Sequence, residues 1–160
     1  MPPPAVLDVV NLDPTNLLYT HEEIYARLPQ DHEFRQLHGI LHLDLEAGTI
    51  AAFRDVRADE WWCRGHLPGR PIFPGILMLE TAAQVSAFIR AIMAPDDTQF
   101  MGFGGVDAAK FRMAVTPPAQ IIMTGKVVEQ RSRRFVVDTQ AYVGGTLAFE
   151  GRITGMPVRA

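Results

Sequence analysis

One histidine and one glutamate stand fourteen residues apart in the stretch 64–84, RGHLPGRPIFPGILMLETAAQ. His66 lies in a loop rich in glycine and proline, which favours a rigid turn, and an imidazole exchanges a proton near neutral pH. Glu80 is the one formally charged residue from Pro71 to Ile89. Because apolar surroundings disfavour an ionised carboxylate, we expect Glu80 to serve as a proton donor.

Two further groups of this stretch could take part in the same chemistry. Gln84 lies one helical turn after the glutamate, on the same face. Gly75 lies where a helix begins, so unpaired backbone N–H groups there could polarise a carbonyl oxygen. Base, acid and oxyanion donor suffice to remove a proton α to a carbonyl and expel a β-hydroxyl. A structural interpretation stays open, in which His66 only stabilises its turn and the glutamate pairs with Arg35 or Arg112.

Two helices are predicted. The apolar segment at about 74–92 predicts a long helix, with Pro74 in its first turn, where a missing N–H costs nothing. This helix is apolar nearly all round, which indicates burial on most sides. A shorter helix is expected near 21–28, because Thr20 and Glu23 have the spacing of a capping box.

The remaining pattern is that of strands. Residues 38–56 predict two strands joined at 46–48, and a third short strand is expected near 59–64, around Trp61 and Trp62. Later strand-like stretches are separated by glycine, proline or charged turns; they are 99–106, 109–115, 120–130, 133–143 and 146–154. This order predicts an α+β domain in which an antiparallel sheet wraps around one long central helix.

Composition favours one soluble domain spanning 1–160, with loose tails at about 1–15 and 156–160. The 160 residues are 48% hydrophobic and 21% charged, and the formal net charge is -3, which argues against a nucleic-acid-binding face. The single cysteine, Cys63, excludes an internal disulfide framework and favours a reducing compartment. The N-terminus lacks the features of a secretory signal, and prolines and a carboxylate argue against 71–89 as a membrane span. We therefore expect a cytoplasmic protein without membrane or nucleic-acid partners.

Two smaller signals have structural interpretations. Cys63 follows two tryptophans, which favours a packed thiol over a nucleophile. His38 and His42 are spaced to share one strand face, but no further ligands have a matching spacing. We therefore predict no metal site.

The stretch 65–84 resembles the active-site segment of the β-hydroxyacyl-acyl carrier protein dehydratases of bacterial fatty-acid synthesis, a hot-dog-fold family. That family's pattern is G-H-F-P-x-x-P-x-x-P-G-x-L-x-x-E/D-x-x-x-Q. Residues 105–117, GVDAAKFRMAVTP, are similar to its G-x-D-x-x-K/R-F-R-x-x-V-x-P strand and turn, and 58–66 to its N-E-x-F-F-x-G-H approach. The resemblance covers roughly 28–155. In the first pattern the matching residues are Gly65, His66, Pro68, Pro71, Pro74, Gly75, Leu77, Glu80 and Gln84.

The resemblance implies a hydro-lyase with the hot-dog fold and no cofactor. His66 would be the base or proton shuttle at the α-carbon of a 3-hydroxyacyl thioester, and Glu80 would help water leave from the β-carbon. The Gly75 amide would hold the thioester oxygen, with Gln84 supporting the helix face. In the family the histidine and the acid meet across a dimer interface, so we expect a homodimer with shared active sites, alone or as a trimer of dimers. Glutamate at position 80 points to the subgroup that only dehydrates.

Some residues depart from the family pattern, mainly in the charged segment 28–40. Gln30 replaces a histidine, His38 stands where aspartate is common, Leu67 replaces phenylalanine, and 118–119 replaces Gly-Asp. These changes leave acyl-chain length and assembly open, and with them the choice between housekeeping fatty-acid synthesis and the synthesis of a specialised lipid or polyketide-like chain. They also keep a second interpretation open, that of a non-catalytic acyl-thioester-binding or scaffolding subunit; a hot-dog thioesterase is disfavoured because that class lacks the G-H-x-P loop.

The resemblance implies an acyl carrier protein as partner. Basic residues cluster in the last third of this acidic chain and could dock an acidic carrier, since complementary charge speeds encounter. An ordinary solvated face is the alternative. These residues are Lys110, Arg112, Lys126, Arg131, Arg133 and Arg134.

Overall fold

The computed structural model describes residues 1–158, which form one antiparallel sheet and two α-helices. The helices are α1, His21–Tyr25, and α2, Gly75–Met93, with a single 3-10 turn at His32–Phe34. The strands follow the sheet order β1-β2-β3-β5-β6-β7-β4, and every neighbouring pair is antiparallel. They are β1 Tyr19–Thr20, β2 Gly39–Asp44, β3 Thr49–Val56, β4 Met101–Phe111, β5 Ala119–Arg131, β6 Arg134–Val143 and β7 Thr146–Pro157.

Helix α2 forms the centre of the core. It packs against β3, β4, β5, β6 and β7, and Val85, Phe88 and Ile89 are fully buried. Helix α2 is long and apolar enough to span a membrane, but half of this apolar window is buried inside the structure, as in a core helix. The predicted arrangement, a sheet wrapped around one long helix, is confirmed.

The capping box at the start of α1 is also confirmed. The Glu23 amide donates to Thr20 Oγ1 over 3.3 Å, and Glu23 Oε2 accepts from the Thr20 amide over 2.8 Å. The helix is shorter than the predicted 21–28. It ends at Tyr25 and continues as a turn to Leu28, whose amide donates to Ile24 O over 3.1 Å; Pro29 then disfavours helical geometry at Leu28.

Two strand predictions are wrong. Residues 59–64 form turns, because the Glu60 carboxylate accepts from the Arg57 amide over 2.8 Å and the Cys63 amide donates to Glu60 O over 3.0 Å. The predicted strands 99–106 and 109–115 are largely one strand, β4. It continues through a bulge between Asp107 and Lys110, where Ala108 has a φ of 52°.

Parts of both expected tails contact the sheet or belong to it. The Val6 amide donates to Gln140 Oε1 over 2.8 Å, and Gln140 Nε2 donates to Pro4 O over 2.9 Å, so part of the expected loose tail 1–15 contacts β6. The other expected tail, 156–160, begins inside β7, which extends to Pro157. Its last two residues, 159 and 160, lie outside the described part of the chain.

Candidate active site

His66 projects from a hydrogen-bonded turn before α2. Its amide donates to Trp62 O over 2.9 Å, and its Nδ1 lies 2.9 Å from Ile72 O. A carbonyl oxygen only accepts, so Nδ1 carries the proton of the neutral ring. Nε2 is therefore the unprotonated nitrogen, and the exposed ring presents it as a base.

A buried ion pair anchors the segment that leads to His66. Arg54, 3% exposed, donates to both Glu60 oxygens, over 3.0 and 2.5 Å, and its guanidinium lies 4.5 Å from the Phe73 ring centre. Glu60 also accepts from Trp62 Nε1 over 3.0 Å. Burial alone would raise the pKa of Glu60, but the hydrogen bonds from Arg54 and from the Arg57 amide lower it below its usual value.

Gly75 opens α2 with an amide that the helix does not use. Pro74, the preceding residue, makes no side-chain cap, and the first helical bonds are donated by Leu77 and Met78 to Pro74 O. A Cβ at position 75 would lie 3.0 Å from the Phe111 ring. Glycine therefore lets Phe111 approach while the helix start keeps a free N–H group.

His66 and Gly75 line the same open cavity of about 450 Å³. The cavity also contains Ile72, Phe111 and Arg112, so the last residue of β4 forms part of its wall. The structure therefore brings His66 and the start of α2 at Gly75 to one cavity.

Glu80 lines a different cavity from His66. It lines an open groove of about 270 Å³ with Ala83 and Ala87, which follow it on one face of α2. Gln84 Nε2 donates to Glu80 Oε1 over 2.7 Å and to Phe34 O over 2.6 Å, so Gln84 contacts Glu80 directly.

Within one chain, the structure does not bring Glu80 and His66 into the same cavity. The structural interpretation of a glutamate paired with arginine is not realised either. Arg112 pairs with Glu150 over 2.7 and 3.1 Å, and Arg35 lies 3.2 Å from Asp31. Glu80 instead takes its hydrogen bond from a neutral amide.

The smaller sequence signals have structural roles. Cys63 Sγ lies 3.4 Å from Arg57 O, as expected of a packed thiol. His38 Nδ1 accepts from the Asp55 amide over 2.8 Å, and burial, followed by the nearby Arg54 charge, lowers the pKa of His38. His42 contacts a threonine hydroxyl across the β2–β3 hairpin. Residues 1–158 contain no group of three or more side chains that could hold a metal ion.

Five of the six basic residues in the last third contact an acidic side chain or a carbonyl oxygen. Lys110 and Arg112 both approach Glu150, beside the His66 cavity. The others lie in or beside the β5–β6 hairpin: Arg131 and Arg134 approach Glu129, Lys126 donates to Ala47 O, and Arg133 is exposed.

Comparison with known proteins identifies a family. Residues 28–152 match the model of the FabA-like domain. The 3-hydroxyacyl-[acyl-carrier-protein] dehydratase FabZ of Streptococcus pyogenes is 31% identical over 132 residues, which are 82% of this chain and 94% of the relative. FabZ of Streptococcus pneumoniae is 32% identical over 133 residues, covering 83% and 94%.

Solved structures with the same fold are more distant in sequence. The dehydratase heterocomplex ApeI:P from Xenorhabdus doucetiae aligns with a TM-score of 0.72 at 14% identity, covering 85% of this chain and 91% of that one. A hypothetical thioesterase with coenzyme A from Streptococcus pneumoniae aligns with a TM-score of 0.56 at 12% identity, covering 74% and 84%. These likenesses establish the hot-dog fold alone, because dehydratases and thioesterases share it.

Proposed function

Because this chain belongs to the FabA-like family, we propose that it removes water from a 3-hydroxyacyl thioester to give the trans-2-enoyl thioester. The observation that carries the proposal is the cavity in which an imidazole with a free Nε2 faces the unused amides of a helix start. This arrangement suits proton removal next to a thioester carbonyl.

The reaction assigns one task to each group. His66 Nε2 takes the proton from the α-carbon, and the electron pair forms the new C=C bond. The thioester oxygen gains negative charge during this step and is held by the Gly75 amide. The bond from the β-carbon to its hydroxyl breaks as Glu80 gives that oxygen a proton, and water leaves. A proton then returns from His66 to Glu80 through solvent, which restores the enzyme.

In this proposal two chains are needed to complete the site, and they pair along strand β4. It is an edge strand, paired with β7 on one side only. Phe103 and Phe111 on this strand are 50% and 53% exposed. An exposed, partly apolar edge favours pairing with another strand, so we assign it to a two-fold contact between the β4 strands of two copies.

The direction of that pairing would bring the two cavities together. The His66 cavity lies at the Phe111 end of β4, and the Glu80 groove at the Met101–Phe103 end. Strands related by a two-fold axis run antiparallel, so the Phe111 end of one copy lies beside the Met101 end of the other. His66 of one protomer would then face the partner subunit's Glu80, giving two shared sites per dimer.

The natural substrate is proposed to be carried by an acyl carrier protein in the cytoplasm. The names of the FabZ relatives support this choice over coenzyme A. It is tested by comparing kcat/KM for one acyl group on both carriers. The docking surface is tested by charge reversal at Arg133 and Arg134. If kcat/KM with the carrier protein stays unchanged, the β5–β6 hairpin is not part of that surface.

The main test is ultraviolet-monitored hydration of a crotonyl thioester, the reverse reaction. We expect His66→Ala and Glu80→Gln each to lose about 10²–10⁴-fold in kcat/KM, while His32→Ala, an exposed histidine in the 3-10 turn, keeps wild-type activity. If the wild type binds thioesters of several lengths on either carrier without turning them over, the scaffolding interpretation replaces the enzyme.

Mixing the two inactive variants tests the shared site. Random exchange between dimers creates heterodimers with one intact site, and about a quarter of wild-type activity should return. No recovery, under conditions in which subunit exchange is demonstrated, would contradict sharing across the interface.

A further inference from the structure

The amide of Gln84 lies in a buried hydrogen-bond cluster that fixes its orientation. Gln84 is fully buried. Its Oε1 accepts from the Tyr25 hydroxyl over 2.6 Å and from the Gln36 amide over 3.1 Å. The backbone N–H of Gln36 is always a donor, so the atom facing it must be the carbonyl oxygen. Nε2 therefore faces Glu80 and Phe34 O, which both accept.

The Tyr25 hydroxyl has only one way to satisfy its neighbours. It accepts from the Leu37 amide over 2.8 Å, and its own proton is directed to Gln84 Oε1. Burial raises the pKa of Tyr25 to about 12, so the hydroxyl stays protonated through the usual pH range of an enzyme assay. Tyr25 is thus a permanent donor to Gln84.

We propose that Tyr25 is a positioning residue. It fixes the orientation of the Gln84 amide, so that Gln84 Nε2 donates to Glu80 Oε1 and leaves Glu80 Oε2 to face the substrate. Tyr25 contacts neither Glu80 nor reacting atoms in this scheme and acts through Gln84. The proposal rests on the proposed function for the role of Glu80 in the reaction, but the placement of the amide can be measured without turnover.

Segment 28–40, which departs from the family pattern, provides backbone partners for Gln84 and Tyr25. It provides the Phe34 carbonyl and the Gln36 and Leu37 amides, all of them backbone groups. Backbone groups survive side-chain changes, so the departures from the family pattern leave this support for Glu80 in place.

The test compares Tyr25→Phe with Tyr142→Phe. Tyr142 is a matched control because its buried hydroxyl also donates to a glutamine Oε1, that of Gln140, over 2.7 Å. Tyr142 has no place in the proposed machinery. We expect Tyr25→Phe to lower kcat about tenfold with KM nearly unchanged, the effect of one lost buried hydrogen bond, and Tyr142→Phe to keep the wild-type kcat.

A double-mutant cycle tests whether Tyr25 acts through Gln84. If it does, Tyr25→Phe has no further effect on kcat in a Gln84→Leu background, and the two losses are not multiplicative. Multiplicative losses would overturn the proposal, as would a wild-type kcat for Tyr25→Phe.

A second readout does not depend on activity. In protein labelled with ¹⁵N in glutamine side chains, the Gln84 NH₂ signal is assigned by its loss in Gln84→Leu. We expect slow hydrogen exchange for it in the wild type and in Tyr142→Phe, and faster exchange in Tyr25→Phe. Unchanged protection in Tyr25→Phe would refute the positioning role. If Tyr25→Phe loses protection of the Gln84 amide but the wild-type protein does not turn over thioesters, the positioning role stands and the proposed reaction is rejected.

If Tyr25→Phe does not fold, 3,5-difluorotyrosine at position 25 retains the shape and ionises at lower pH. Ionisation removes the donor to Gln84 Oε1. At high pH, kcat and the hydrogen-exchange protection of the Gln84 amide should therefore both decline in the fluorinated protein but not in the wild type. Wild-type pH profiles for both quantities would overturn the proposal.

Discussion

Removal of the Glu60 carboxylate should destabilise the protein strongly, although Glu60 touches no substrate in the proposed mechanism. Arg54 is 3% exposed, and its side chain would keep its charge without its principal partner. Breaking a buried ion pair from one side costs about 3–5 kcal/mol, because the remaining charge is left uncompensated. Glu60→Ala should therefore lower the free energy of unfolding by that amount.

The assay is equilibrium unfolding in urea at fixed protein concentration, since dimerisation would make stability depend on concentration. With a urea dependence of about 2 kcal/mol per molar, the midpoint of Glu60→Ala should fall by about 1.5–2.5 M. Tryptophan fluorescence reports the same region, because the two tryptophans are Trp61 and Trp62 and Trp62 Nε1 donates to Glu60.

A matched control lies in the same turn. Arg57 and Asp59 form an ion pair with side chains 66% and 67% exposed. Exposed pairs contribute little because solvent screens them, so Asp59→Ala should keep the wild-type midpoint. If Glu60→Ala loses no more than Asp59→Ala, the description of Arg54–Glu60 as a buried structural pair is refuted.

The contribution of Glu60 to the free energy of unfolding should decrease at acidic pH. Its pKa is lowered in the folded protein, so the unfolded chain binds the proton more readily. The contribution of the carboxylate is fully present above the unfolded-state pKa and is lost as the pH falls through the folded-state pKa. The midpoint difference between wild type and Glu60→Ala should therefore be constant near neutrality and shrink below about pH 4. A difference that grows with acid would contradict the assignment.

Three further perturbations address the cavities and the N-terminal segment. Ala87→Phe fills the groove that leads from Glu80, so kcat/KM for long acyl chains should fall while crotonyl thioester is spared; an equal loss for both would place the chain elsewhere. Gly75→Ala puts a Cβ 3.0 Å from the Phe111 ring, so kcat/KM should fall and partly recover with Phe111→Ala; no recovery would exclude this clash as the cause. Gln140→Leu removes both hydrogen bonds that hold the N-terminal segment, so limited proteolysis near the N-terminus should accelerate, and an unchanged rate would show that other contacts hold it.

The architecture could be predicted from local patterns, and the errors have local causes. The length of the apolar segment and Pro74 in its first turn were sufficient to predict the central helix, and the capping box marked the start of α1. The strand predicted at 59–64 failed because Trp61 and Trp62 have strand propensity, whereas the Glu60 side chain takes up the turn's N–H groups and the Arg54 charge. That tertiary pair leaves no signal in the local sequence.

The candidate site separates into residues that a pattern can mark and residues that only the fold brings together. His66, Gly75, Glu80 and Gln84 were found because they lie within one continuous stretch. Tyr25 lies 59 residues from its partner Gln84, and in the sequence it is simply an apolar position of a short helix.

The placing of His66 and Glu80 in separate cavities could not be predicted from their spacing in the sequence. His66 and Glu80 are close in sequence, yet in one chain they line different cavities. An isolated copy therefore has His66 in one cavity and Glu80 in the other. The unpaired edge of β4 runs between the same two places. One two-fold contact along it would cover the exposed strand and complete both sites, so in this proposal assembly and catalysis depend on the same surface.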